Sequence, residues 1–359
     1  MANRILAINP GSTSTKIAVY DDETPLFVES IEHPKNEIAA FEEIFDQYGF
    51  RKDAILKVLS EHGVALEGLT AVVSRGGLLP PVPSGAFEVN DDMIWQLHYR
   101  PENEHASNLG APIAKSIADA LGIKAYIYDP VTVDELDPVS RIAGLAEFRR
   151  KSLGHALNMR AAAHAYAEGA GRPYEELNLI VAHLGGGITL SAHRAGRMFD
   201  MVSDEEGPFS PERSGGLPVF QTLEWAAGSG EPFRALYKHV KTKGGLMGHL
   251  GTNDAREVEA MIAEGDEHAK LVYEAMALSI AKHIATLAAS LKGRVDAVIV
   301  TGGLAKSKML TEWIGERVGF IAPFAVIAGE NEMESLVKGT LRVLSGQEEA
   351  HEFHKVEDL

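Results

Sequence analysis

The feature that most limits what this chain can fold into is a strand–turn–strand plan present twice, at Arg4–Tyr20 and at Leu179–Ala192. In the first copy an apolar run reaches Ile8, Pro10-Gly11 breaks the chain, and β-branched residues resume after Ser14. That pattern predicts two strands around a tight turn. In the second copy Leu179 to Leu184 passes through Gly185-Gly186-Gly187 into Ile188 to Ala192. Asn9 and His183 hold the same place near the end of the leading strand. Nearly half the chain separates the copies, which is the spacing of a duplicated domain and not of a short solenoid repeat.

The first turn offers the Asn9 amide, the hydroxyls of Ser12, Thr13, Ser14 and Thr15, and the Lys16 ammonium. Backbone N–H groups, hydroxyl donors and a cation together suit phosphate oxygens. An ordinary hydroxyl-rich hairpin would have the same composition, and the Gly-Lys-Ser/Thr order of a P-loop is absent. The second copy tilts the reading, because two such hairpins facing each other would grip one polyphosphate from both sides.

A chain of 359 residues expects two domains of ordinary size. Its net charge of −17 argues against nucleic-acid or membrane-surface partners, which need basic patches. An anionic ligand then needs a local cationic site or a metal. The absence of cysteine excludes disulfides, thiolate zinc sites and thiol nucleophiles. The N-terminal residues lead straight into a strand without a signal-like pattern, so a cytoplasmic location is expected. The segment Ala275–Leu291 has Met276, Ile280, Ile284, Leu287 and Leu291 at helical spacing, which predicts a core helix and not a membrane span.

Along the first half, Lys35 to Gly63 has helical periodicity, and Ala71–Ser74 reads as a buried strand ending at Arg75-Gly76-Gly77. A cation before two glycines lets a guanidinium and the backbone approach a ligand; a plain glycine turn is the alternative. His105 and Asn108 either face a cleft or cap the helix that opens near Pro112. Ala125–Tyr128 delivers Asp129 to a strand's C-terminal end, where open α/β sheets bind ligands. Asp129 is therefore a candidate base or magnesium partner, the bland reading being an Asx-turn before Pro130.

The second half continues with a strand through Met198–Val202, then a Gly/Pro-rich loop from Asp204 to Pro218 that presents Arg213. Asp254 or Thr252 is placed to cap a long helix. Val295–Val300 is the clearest buried parallel strand, breaking at Gly302-Gly303, where close approach to a nucleotide base or α-phosphate is possible. Phe324–Ala328 is a strand followed by an acidic turn through Glu334, with a helix from about Ser335 and a frayed acidic tail after Gly346. Strands alternating with helices in both halves predict two α/β domains, the first over 1–150 with the helix from 335 packing back on it. The second spans 151–334.

With these motifs assembled, the chain resembles the acetokinase family, and within it the butyrate kinase branch. Asn9-Pro10-Gly11-Ser12-Thr13-Ser14, Ser74-Arg75-Gly76-Gly77-Leu78-Leu79 and Glu104-His105-Ala106-Ser107-Asn108 carry that likeness, with Pro211–Pro218. The resemblance implies the duplicated actin/hexokinase-like (ribonuclease H-like) α/β fold with an interdomain cleft, ATP/ADP and Mg2+, a small carboxylate substrate, and commonly a homodimer or higher homo-oligomer. It makes the second domain the nucleotide-binding one. It makes Asn9, Ser12, Ser14 and Lys16 phosphate and metal neighbours, and Gly185 and Gly186 nucleotide contacts. Asp129 becomes a catalytic or magnesium-organising carboxylate, Glu332 an acidic magnesium neighbour, and His183 and Arg213 donors to the phosphoryl group. Asp254 and Arg256 fall where the family holds adenosine, with Gly302 and Gly303 near the α-phosphate. Arg75 takes the substrate-arginine role only through a local shift, because acetate kinases place theirs three residues earlier, where this chain has Val72.

Such an enzyme would form an acyl phosphate from a short-chain fatty acid, butyrate or a branched acid. Acetate, propionate or another carboxylate is an alternative, as are a sugar-type kinase and a non-catalytic actin-like ATPase.

Overall fold

The computed structural model describes residues 2–356. Its strands in chain order are β1 (Arg4–Pro10), β2 (Ser14–Asp21), β3 (Thr24–Glu32), β4 (Ala71–Arg75), β5 (Ala86–Glu88) and β6 (Lys124–Tyr128). They continue with β7 (Leu179–Leu184), β8 (Ile188–Arg194), β9 (Arg197–Val202), β10 (Ala297–Gly302), β11 (Phe324–Ala328) and β12 (His351–Glu352). The chain divides into two units, one of residues 1–134 with 331–359, the other of residues 135–330.

In the first unit β1, β2 and β3 form an antiparallel meander, and β4 and then β6 join β1 in parallel. β5 and β12 extend the β6 side, giving the order β12-β5-β6-β4-β1-β2-β3. In the second unit β7, β8 and β9 repeat the meander, and β10 and β11 repeat the parallel pair, in the order β11-β10-β7-β8-β9. Five strands thus recur in the same order and sense, the topological form of the repeat legible in the hairpins.

Period-two alternation then assigns the faces. Leu6 and Ile8 of β1 enter a core with Val72, Ile127 and the helix Gly110–Leu121. The other face of β1, β4 and β6 is covered by the helix Glu332–Leu344. In the second unit Ile180, Ala182, Val298 and Val300 pack on Met276, Ile280 and Ile284 of the helix Glu267–Ser290. That helix is long and apolar enough to span a membrane, and half of its most apolar window is buried inside the protein. The opposite face of β7 and β10 carries the helix Ala156–Ala170. Sheets covered on both faces explain why their central strands are continuous apolar runs.

Several elements differ from the sequence reading. The second unit begins at Glu135 and not near 150, because residues 135–150 are tied to β9: the Asp137 N–H donates to the Phe199 carbonyl, and Arg150 bonds Asp200. Lys35 to Gly63 is one helical turn at Lys35–Ile38 and a separate helix at Tyr48–Glu61. The helix capped by Asp254 is short, Ala255–Ala263. The final helix starts at Glu332, so this residue sits in a first turn, where an acidic side chain suits the helix dipole. The acidic tail is not frayed: β12 pairs with β5, Phe353 is buried, and Glu348 accepts from the Tyr128 hydroxyl at 2.6 Å. Residues 357–359 of that tail lie outside the described residues.

Candidate functional site

In the first unit the parallel strands bring their C-terminal ends into line. Ile8 is level with Ser74, and Arg75 is level with Tyr128, so Asn9, Arg75 and Asp129 end adjacent strands. Asn9 Nδ2 donates to Glu332 Oε2 at 2.6 Å, and the Arg75 guanidinium pairs with the other oxygen of Glu332. Three predicted residues therefore form one cluster over the helix N-terminus. Because the Asn9 nitrogen is committed to Glu332, its Oδ1 is the atom left for a cation or a donor.

Asp129 is buried, has φ of +40°, and accepts the Gly85 N–H on Oδ1 at 2.7 Å. A non-glycine residue in the left-handed region is uncommon and costs about 1 kcal/mol or more, a form of strain that clusters at functional sites.

The turn after β1 presents Ser12 and Lys16 exposed and Ser14 half-buried. Beneath it lies Arg51, fully buried, which sequence reasoning missed. Its Nη1 donates to the carbonyls of Gly11 at 2.8 Å and Ser14 at 3.1 Å and to Thr15 Oγ1 at 3.0 Å; Nη2 donates to the Ser12 carbonyl at 3.1 Å. Gln47 Oε1 accepts from Nε and Nη2.

Gly76 and Gly77 are glycines for packing. A Cβ on Gly76 would lie 2.7 Å from Pro130 Cβ, and one on Gly77 2.5 Å from Asn108 Oδ1. His105 caps the short helix Ala106–Leu109, and buried Asn108 accepts the Leu78 N–H and donates to the Asn103 carbonyl.

In the second unit His183, also next to last in its strand, sits on the face covered by the helix Ala156–Ala170. Its Nδ1 is 2.9 Å from Asn158 Oδ1. Asn158 Nδ2 donates to the Gly329 carbonyl, so Oδ1 is the acceptor and His183 Nδ1 carries a proton. Nε2 is thereby turned toward Glu330 Oε1 at 3.4 Å, and His155 stacks on the ring at 3.8 Å between centroids. Hydrogen bonding from His183, helped by the Gly303 N–H, holds the Glu330 carboxyl down at about 2. Glu330, Asn158 and His155 carried no sequence signal of their own. Only their nearness to His183 marks them.

The glycine turn leaves room for functional groups. A Cβ on Gly185 would lie 2.8 Å from His183 Nε2, and one on Gly187 2.4 Å from Arg213 Nη1, while Gly186 faces open space. The Asp204–Pro218 loop reaches this turn through Ser210, whose Oγ donates to the Gly186 carbonyl at 2.6 Å. Arg213, about a third exposed, pairs with Asp204. Asp254, Arg256, Gly303 and Ser307 border one recess of about 590 Å³, within the range of small-molecule sites. Asp254 caps its helix and accepts both sides of the Arg256 guanidinium, which holds its carboxyl at about 2. Gly302, with φ of +92°, is needed because a Cβ would meet the Leu184 carbonyl oxygen at 2.4 Å.

Among the described residues no group of three His, Cys, Asp or Glu side chains forms a metal cage. Mg2+ rarely needs one, since one or two carboxylates, waters and substrate phosphates suffice. Glu332, Asn9 Oδ1 and Asp129 fit such a donor set chemically.

Known proteins resemble this chain in sequence and in fold. A profile described as the acetokinase family matches residues 150–322. Butyrate kinase 2 of Clostridium acetobutylicum is 46% identical over 98% of this chain and 100% of its own length. Among solved structures, the fold is similar to Porphyromonas gingivalis acetate kinase (TM-score 0.75, 20% identity, 96% of this chain and 100% of that one). It is also similar to a propionate kinase from Francisella tularensis (TM-score 0.72, 18% identity, 94% of this chain and 98% of that one). The two sheets of common order are the duplicated actin/hexokinase-like fold, and the chain belongs to the acetokinase family.

Proposed function

We propose that this carboxylate kinase transfers the terminal phosphoryl group of ATP to a short-chain fatty acid, butyrate or a branched acid of similar size. The products are the acyl phosphate and ADP, and the reaction is reversible. The full-length relative named a butyrate kinase carries the choice of acid.

A carboxylate is already nucleophilic, so the barrier lies in bringing two anions together, and catalysis rests on positioning and charge neutralisation. Arg75 holds the acid's carboxylate. His183 Nε2 and Arg213 donate to the equatorial oxygens of the transferred group, with His183 oriented by Asn158. Ser12, Ser14, Lys16, Gly185 and Gly186 cradle the phosphate chain. Asp254, Arg256, Gly302 and Gly303 serve adenosine and the α-phosphate, a role supported by the recess that Asp254, Arg256 and Gly303 border. When bound, Mg2+ would neutralise phosphate charge, held by Asp129, Glu332 and Asn9. In the ligand-free protein Arg75, His183 and Arg213 face Glu332, Glu330 and Asp204, carboxylates that stand where anionic substrate oxygens would compete.

A cytoplasmic homodimer completes the reading. The helices Val219–Ser229 and Phe233–Thr242 bury none of their residues and leave Val219, Phe220, Leu223 and Phe233 exposed, an apolar surface suited to a second copy.

Hydroxamate trapping of the acyl phosphate across straight and branched two- to six-carbon acids tests the proposal. One methylene is worth about 1–3 kcal/mol in a fitted pocket, so kcat/KM should peak at four or five carbons by tenfold or more over acetate. ATP consumption indifferent to every acid would overturn it.

A further inference from the structure

Arg51 is a fully buried cation whose partners are all neutral: three backbone carbonyls, the Thr15 hydroxyl and the Gln47 amide. A buried charge without a counter-ion is costly, and a protein keeps one where something else balances it. Burial lowers the guanidinium to about 10, which leaves it charged at neutral pH. His33, buried and 2.8 Å from Thr15 Oγ1, has its pKa lowered by burial and by Arg51, with Glu32 acting the other way.

The hydrogen bonds also fix the direction of the turn. In a trans peptide the C=O of one residue and the N–H of the next point to opposite sides. With the carbonyls of Gly11 and Ser12 drawn inward to Arg51, the N–H groups of Ser12 and Thr13 face outward, beside exposed Ser12 and Thr13 side chains. Consecutive outward N–H groups form an anion-binding concavity.

We propose that Arg51 is the positioning residue of the phosphate-binding turn, aiming the Ser12 and Thr13 N–H groups at the nucleotide's terminal phosphates over a positive charge that the bound phosphates balance. This rests on the reading that the Gly11–Lys16 turn holds those phosphates.

Two variants of the full chain separate direction from charge. Arg51→Lys keeps the charge and loses the fork, and Gln47→Glu keeps the fork and supplies a carboxylate that neutralises it. Inorganic tripolyphosphate is the probe, adenosine the control, and thermal unfolding reports folding. Tripolyphosphate affinity should fall about tenfold in Arg51→Lys and about fivefold in Gln47→Glu, with adenosine affinity unchanged, a loss of the size expected for charge-assisted donors. Gln47→Glu should unfold no earlier than wild type, so a purely structural role for Arg51 predicts no loss of affinity there. Wild-type tripolyphosphate affinity in folded Gln47→Glu overturns the charge role, and in folded Arg51→Lys the positioning role; should Arg51→Lys not fold, Gln47→Glu decides. A Ser12→Ala, Lys16→Ala double variant that binds tripolyphosphate like wild type would instead remove the reading of the turn itself.

Discussion

After β1 the chain turns through Gly11–Thr13, and after β7 through Gly185–Gly187, three residues in each case between strands of matching topology. The first turn is rich in hydroxyls and braced from within, its carbonyls held by a buried guanidinium. The second has no side chains and is met from outside, by His183 at Gly185 and, from the Asp204–Pro218 loop, by Arg213 at Gly187 and Ser210 at the Gly186 carbonyl. The residue next to last in each leading strand is secured in parallel fashion. Asn9 bonds Glu332 and His183 bonds Asn158, each partner lying in the first turn of the helix that covers that face. The two turns thus share a frame and differ in the groups they present. One turn is suited to holding an anion through backbone and hydroxyls, the other to presenting charged side chains where negative charge develops.

The sharpest way to break this division is Arg213→Ala. If the glycine turn exists to seat transition-state donors, losing one should lower kcat by a few hundredfold, about 3–4 kcal/mol of barrier, while the dissociation constant for ATP stays within about threefold. Wild-type turnover in the purified variant would move Arg213 out of the chemistry and return it to a loop-pinning role with Asp204. An equal loss in ATP affinity would make the second turn a holder like the first.

The frame was legible because its signals are local. Alternating or continuous apolar runs bounded by glycine and proline gave the two hairpins, β4, β6, β10 and β11 near their observed limits. β3 was not legible, since its residues are mostly exposed or half-exposed at a sheet edge and carry no clear apolar alternation. The helices Val219–Ser229 and Phe233–Thr242 were missed although Phe233, Leu236, Tyr237 and Val240 recur at helical spacing in the second, and none of their residues is buried. The tail misled by composition, because Glu348 and Phe353 earn their order from Tyr128 and the β5 edge, far away in sequence. The candidate residues Asn9, Asp129, His183 and Arg213 were visible as chemistry at strand and loop ends. Their orienting partners were not: Arg51 braces a turn some forty positions earlier, and Glu330 matters only because the fold sets it against His183.

A milder perturbation sharpens the same comparison within one turn. Gly187→Ala places a methyl 2.4 Å from Arg213 Nη1, so the guanidinium must shift and kcat should fall on the order of tenfold, about 1.4 kcal/mol. Gly186→Ala meets nothing within 4 Å and should change unfolding free energy by less than about 0.5 kcal/mol. Equal kinetics in Gly187→Ala and wild type would show that the glycines serve only the bend.

The smallest expected effect concerns the carboxylate that the second turn keeps beside its histidine. Glu330 has its folded pKa depressed from the ordinary 4.5 to about 2, chiefly by hydrogen bonding from His183. A depressed carboxyl stabilises the fold above its unfolded pKa and loses that contribution as pH falls through the folded value. The unfolding free energy of wild type should therefore exceed that of Glu330→Gln above pH 4.5, with the gap closing steadily toward pH 2. The site is only half-buried, so solvent screening keeps the gap modest. Other carboxylates titrate in the same range, but they do so in both proteins, and the difference isolates this one. A gap that stays flat from pH 6 to pH 2.5 would mean that Glu330 and His183 are neighbours without electrostatic coupling. The second turn would then present its imidazole unopposed, and its contrast with the internally braced first turn would rest on Arg213 alone.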